Sequence, residues 1–294
     1  MHIASLDQLV TVPSRAVIIN CGTREVATLA LMAALRHAGM PVLLIDCESR
    51  DGSWRWFEKL AGQHVFDRMQ RPLWPHGKTL DWLFSASKDE SLLLIDSDLE
   101  ILNADVMSLM RQAVFAPDVY GAGFLHGEEM MRAGMHTRVN PGRYMARMWI
   151  PFVLMKVMPV KDALARGSTF MHSRDYIEFP WSHFISKVLY ARHRIPGMGG
   201  LSFDIFRAAR MRIHGDIAPF REFDTGARVH AALLAQRYRL VDLGEPFWSR
   251  SLRHYHGVTR ATMQNGQRNA TSASTIRREV CERLRSVYGI DIDD

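Results

Sequence analysis

The chain has 294 residues, 47% hydrophobic and 23% charged, and its most apolar stretch, "MWIPFVLMKVMPV" (148–160), is broken by Lys156 and two prolines, too short to cross a bilayer. Three cysteines, Cys21, Cys47 and Cys281, without CxxC spacing, exclude a disulfide framework and a structural zinc site. Net charge is +6, and the excess falls late, with eight arginines but only Glu279 and Glu282 between Arg250 and Arg285. The opening "MHIASLDQLVTVPSR" lacks a basic start followed by an apolar run, so a soluble, cytoplasmic protein is expected.

In chain order, "AVIIN" (16–20) reads as a strand, 25–37 as a helix stopped by Gly39, and "PVLLID" (41–46) as a second strand. A helix over 52–62 takes Ser53 as its N-cap, and "GKTLDWLFSAS" (77–87) is a further amphipathic helix. "SLLLI" (91–95) is the third strand, 103–115 a helix capped by Asn103, and "VYGAGFL" (119–125) a fourth strand. Continuous apolar strands between helices predict a parallel sheet covered on both faces. The second half is less regular. Residues 141–160 suggest short strands or loops, 197–200 ("GMGG") flexible punctuation, 224–240 a helix opened by Asp224 or Thr225, and 263–275 a polar loop before a final helix over 274–287.

The chemistry gathers at predicted strand ends, where ligands of such sheets bind. "LLLIDSDLEIL" (92–102) sends a buried strand into Asp96-Ser97-Asp98, and where the chain turns both carboxylates can reach one ligand. A hard divalent cation, Mn2+ or Mg2+, takes one or two such carboxylates together with phosphate oxygens. The plain alternative is an ordinary loop tripeptide. Thr23, Asp46 and Asp51 lie at neighbouring strand ends, Asp51-Gly52 being equally a simple turn. Trp149, Phe152, Trp181 and Trp248 suit either a sugar-stacking platform or the core, and Arg253 and Arg260 suit diphosphate oxygens.

Five segments in order then resemble the GT-A glycosyltransferases of the family 2 type, over about residues 14–260. They are "LLIDCESRDGS" (43–53), "WPHGKTLDWLF" (74–84), "LLLIDSDLEIL" as the DxD, "FDTGARVHAALLAQRYRLVDL" (223–243) as the acid-bearing helix, and "RHYHGVTR" (253–260) as the closing H-x-G-G-x-S/T segment. Departures are Glu48 where Gly is usual, Glu222-Phe-Asp224 in place of adjacent Glu-Asp, and His256 where Gly is common.

The resemblance implies an α/β, Rossmann-like GT-A fold with a smaller mixed acceptor-side region. It places a nucleotide-sugar half at about 14–125, an acceptor half at about 126–260, and a basic loop and helix at 261–294. It further implies transfer from a nucleotide-diphosphate sugar to a glycan or lipid-linked hydroxyl, with inversion. Implied donor contacts are Thr23, Arg24, Asp46, Ser49, His76, Gly77, Asp81, Asp96 and Ser97. The implied metal ligands for Mn2+ or Mg2+ are Asp96, Asp98 and His254, with His256 an alternative, and the general base is Asp224 or Glu222. The basic C-terminal helix suits docking on an anionic membrane surface. A sugar nucleotidylyltransferase is the competing enzyme, since "CGTRE" (21–25) faintly resembles its glycine-rich loop. A basic nucleic-acid-binding module competes from another class, although no recognition pattern for nucleic acid is present.

Overall fold

A computed structural model describes residues 1–127, 143–176, 220–255 and 270–292. The readings at 197–200, Trp181, His256, Arg260 and most of 263–275 lie outside them.

The first half alternates strand and helix as the apolar runs predict. The strands are β1 (Ser14–Asn20), β2 (Val42–Cys47), β3 (Asp67–Arg71), β4 (Ser91–Asp96), β5 (Leu99–Ile101) and β6 (Val119–His126). The helices are α1 (Arg24–His37), α2 (Ser53–Ala61), α3 (His76–Ala86) and α4 (Asp105–Val114). The second half adds β7 (Arg143–Tyr144), β8 (Arg147–Lys156), β9 (Ser173–Tyr176), β10 (Phe220–Phe223), β11 (Arg239–Asp242) and β12 (Leu252–His254). Its helices are α5 (Val157–Ala165), α6 (Ala227–Ala235), α7 (Glu245–Ser251) and α8 (Ala270–Arg283), the last running into a π-helical turn, Leu284–Tyr288.

Seven strands form one sheet in the order β11-β6-β8-β4-β1-β2-β3. β8 is antiparallel to both its neighbours, and every other pairing is parallel. The architecture is therefore the expected mixed α/β one, a mostly parallel sheet covered on both faces. Alternation along the strands feeds two cores. Ala16, Ile18, Leu44, Leu93 and Ile95 face α1, α2, α4 and the C-terminal Val280, Leu284 and Ile290. Val17, Leu43, Ile45, Leu92 and Leu94 face α3, α5 and α6. The C-terminal helix thus shares a core with α1, α2 and α4.

Several boundaries differ from expectation, each for a physical reason. Residues 147–165 are one long strand followed at once by a helix, not short pieces. Pro159 falls in the first turn of α5, where no intrahelical N–H is needed. Pro151 lies just beyond the last β4–β8 pair, Ile95 with Phe152, where the β6–β8 register also shifts, so no ladder bond is lost. The helix predicted over 224–240 ends at Ala235, because Arg237 takes φ 66° and the chain leaves as β11. Gly52, not Ser53, caps α2, at φ 80°. Asn103 does accept from the Asp105 amide at 3.1 Å, although α4 starts only at Asp105.

Candidate functional site

Strand order reverses between β1 and β4: β2 and β3 extend one way from β1, while β4 lies on its other side. Ligands of open α/β sheets bind outside the strand ends at such a point. The first strand-end loop is bonded to its neighbours there. Asn20, wholly buried, donates to Asp46 (2.8 Å) and Ser49 (3.0 Å). The Ser49 hydroxyl donates to Asp46 (2.6 Å) and accepts from the Gly22 amide (2.8 Å). The Thr23 hydroxyl donates to Asn20 (2.9 Å) and lies 3.2 Å from the Ser97 hydroxyl, tying β1 to the centre of Asp-Ser-Asp. Asp46, Ser49, Thr23 and Ser97 are thus engaged with one another. Asp51 accepts from the Arg24 amide (2.9 Å) and from both the amide and hydroxyl of Ser53, which is the turn-and-cap reading of its sequence.

The second strand-end loop carries the carboxylates. β4 ends at Asp96, and three residues later β5 pairs antiparallel with β12, with His254 opposite Leu99. The Tyr255 amide also donates to the Asp98 carbonyl at 2.8 Å. This ribbon carries a histidine 156 positions along the chain to Asp98, His254 Nε2 standing 3.0 Å from Asp98 Oδ1. One ligand atom from each of Asp96, Asp98 and His254 lies within 4.8 Å of the others. Two carboxylates and an imidazole match the oxygen and nitrogen preferences of Mn2+, and the carboxylates those of Mg2+, so these residues fit the implied ion. Burial pushes the Asp96 carboxyl up, as does the charge of Asp98, while His76, His254 and Arg147 pull it down. A cation there would offset the burial and the mutual repulsion.

Two predicted donor-side residues on α3, Asp81 and Gly77, pack against the segment 169–171. Asp81 accepts from the Thr169 hydroxyl (2.5 Å) and the Phe170 amide (2.7 Å). Gly77 lies so close to the same segment that a Cβ would stand 2.6 Å from the Phe170 carbonyl oxygen. His76, exposed at the helix start, is near enough to Asp96 to influence its charge.

In the second half of the chain, the antiparallel strand β8 begins at this same end of the sheet. It delivers Arg147, whose Nη2 is 3.3 Å from Asp224 Oδ2 and whose charge also reaches Asp96. Asp224 is partly exposed and accepts from the Thr225 amide at 2.8 Å; the cap of α6 is Gly226, so Asp224 is not the N-cap. Glu222 is buried and bonded to Arg174 (2.9 Å) and His172 (2.5 Å). Of the aromatic platform, Phe152 is fully buried and Trp149 is 3% exposed. Trp149 sets its ring edge-on to His254 at 5.3 Å and packs on Trp248 at 4.1 Å, so these rings back the histidine. Arg253, exposed, pairs with Glu279 (3.5 Å). Arg147 was not singled out from the sequence; its place two residues before Trp149, in a stretch read as broken, hid the strand that presents it.

No family model matches the chain, and no curated protein matches it either. Solved structures similar to it include glycosyltransferases. The mannosyltransferase PcManGT of Pyrobaculum calidifontis, in complex with GDP-Man and Mn2+, is similar over 92% of this chain and 86% of its own, at TM-score 0.40 and 11% identity. TarS 1–349 of S. aureus is similar over 93% of this chain and 72% of its own, at TM-score 0.38 and 11% identity. The same TarS piece in complex with UDP-GlcNAc gives 12% identity, again at TM-score 0.38. Likeness at this level assigns neither an activity nor a ligand.

Proposed function

We propose that this chain is a metal-dependent glycosyltransferase that moves a sugar from a nucleotide-diphosphate donor to the hydroxyl of a glycan or lipid-linked acceptor. The observation that carries this reading is the convergence of Asp96, Asp98 and His254 within 4.8 Å at the switch point of the sheet. Asp96, Asp98 and His254 would hold Mn2+ or Mg2+, which when bound neutralises the diphosphate that departs. The anomeric carbon–oxygen bond to the diphosphate breaks as the acceptor oxygen bonds to that carbon with inversion. The acceptor hydroxyl passes its proton to a carboxylate.

Asp224 suits that base better than Glu222. Its carboxylate reaches solvent and is held by one amide and Arg147, whereas Glu222 is buried between Arg174 and His172. Arg147 stands where it bears on both Asp96 and Asp224, so the same reading gives it the task of holding the base and the donor charge in one frame. The nucleotidylyltransferase alternative is weakened because the amides its loop would offer a phosphate are bonded within the protein, Gly22 to Ser49, Thr23 to Asn20 and Arg24 to Asp51. A peripheral contact with an anionic membrane surface, where lipid-linked acceptors lie, belongs to the same proposal. No helix among the described residues is long and apolar enough to cross a membrane. The test is transfer or hydrolysis of UDP-, GDP- and dTDP-sugars with and without Mn2+. Turnover that requires the ion and is abolished by Asp98→Ala, with the fold retained, is expected. Turnover indifferent to both would overturn the proposal.

A further inference from the structure

Glu100 follows Asp98 by two residues and is fully buried, although nothing in the reaction calls for it. Its carboxylate is gripped from the C-terminal segment. Arg283 Nε, at the end of α8, lies 2.6 and 2.5 Å from its two oxygens, and the Tyr288 hydroxyl donates to it at 3.0 Å. The Tyr255 hydroxyl, next to His254, is 3.4 Å away. On the opposite strand, Arg253 faces Glu100 in the ribbon and pairs with Glu279 of α8 at 3.5 Å. The C-terminal helix is therefore tied to both strands of the β5–β12 ribbon.

The need for such ties follows from the ribbon's size. It has three paired positions, and an isolated two-stranded ribbon is marginal in water. A slip by one residue would turn His254 to the other face, away from Asp98. Apolar packing of Val280 and Leu284 can hold α8 on the core, but it does not choose a register. A buried carboxylate can, because it must meet its arginine or remain in the interior as an uncompensated charge.

We infer that Arg283 and Tyr288, acting on Glu100, set the β5–β12 register that holds His254 against Asp98, so that the C-terminal segment positions the cation site. This rests on the reading that Asp96, Asp98 and His254 bind the ion. The experiment is a titration of the full chain with Mn2+ alone, followed by the electron paramagnetic resonance signal of the free ion. Wild type, His254→Ala, Arg283→Ala and the double variant are compared. Arg283→Ala should weaken Mn2+ about tenfold in the wild-type background, the usual scale for groups that orient a ligand, and cause no further loss once His254 is gone. An equal loss in both backgrounds, or none in the first, overturns the inference. Should Arg283→Ala fail to fold by circular dichroism, Tyr288→Phe gives the same comparison with a smaller expected loss. If wild type binds no Mn2+, or His254→Ala binds it unchanged, the cation site itself is wrong and the inference falls with it, a pattern distinct from a failed coupling.

Discussion

Gly77→Ala offers a sharp test of how the two halves of the site are joined. Gly77, in the first turn of α3, presents its backbone to residues 170 and 171, and Asp81 one turn later bonds the Phe170 amide. A Cβ at position 77 would meet the Phe170 carbonyl oxygen at 2.6 Å and both Cα and N of Met171 at 2.7 Å. These are backbone atoms, so no side-chain rotation relieves the overlap, and α3 or the 169–171 segment must move by most of an ångström. Overpacking of this kind costs about 1–3 kcal/mol, against which alanine returns up to about 1 kcal/mol in a helix. A net loss of about 1–2 kcal/mol lowers Tm by roughly 2–3 °C in a chain of 294 residues. Thermal unfolding by circular dichroism measures it. The same movement shifts His172, which holds Glu222, so Gly77→Ala and Asp81→Ala should be non-additive. An unchanged Tm would refute the reasoning. So would rescue by Met171→Ala, because trimming that side chain leaves the obstructing backbone in place.

Asp96→Asn should weaken Mn2+ binding and turnover together, and full turnover would remove its role as ligand. Asp224→Asn should lower turnover while donor binding, measured by calorimetry, is kept; an equal loss of both would make it a packing residue. Burial pushes the His230 imidazole, 2.6 Å from the Tyr120 hydroxyl, down to about 4 from 6.5. The unfolded chain therefore takes the proton first, so stability is complete above pH 6.5 and lost as pH falls toward 4, by at most about 3 kcal/mol. His230→Gln should flatten that slope in denaturant titrations at several pH values, and an unaltered slope would place the titrating group elsewhere. Among the described residues, four C-terminal arginines are paired within the protein, Arg253, Arg277, Arg283 and Arg285, which moderates the field a membrane would feel. Sedimentation with anionic vesicles should therefore vanish by moderate salt, and complete failure at low salt would discard the membrane contact.

Local pattern carried the first half of this chain. Runs such as Leu92–Ile95 are apolar on both sides because both faces of a parallel sheet are covered, and that signal needs no knowledge of partners. The Asp96-Ser97-Asp98 turn was visible for the same reason, as charge placed at the end of such a run. β3 escaped notice because it is an edge strand, where only Met69 of Asp67–Arg71 is fully buried and charge is the rule. β8 escaped because Pro151 reads as a strand breaker unless the pairing on either side is known to stop there. The end of α6 was hidden because Arg237, not a glycine, adopts the left-handed conformation.

The family resemblance implied the set Asp96, Asp98 and His254, but local pattern did not, and which other distant residues meet was decided by the tertiary structure alone. Nothing local in 252–254 announces that it pairs with 99–101, since three-residue strands lack a periodic signature, yet that pairing brings His254 to Asp98. Nothing local distinguishes Arg283 from its neighbours in a basic helix, yet it lies on a buried carboxylate 183 positions away. Covered strands and helix faces are set by the nearest dozen residues, whereas a site made of side chains from opposite ends of the chain exists only once long-range packing has chosen their register.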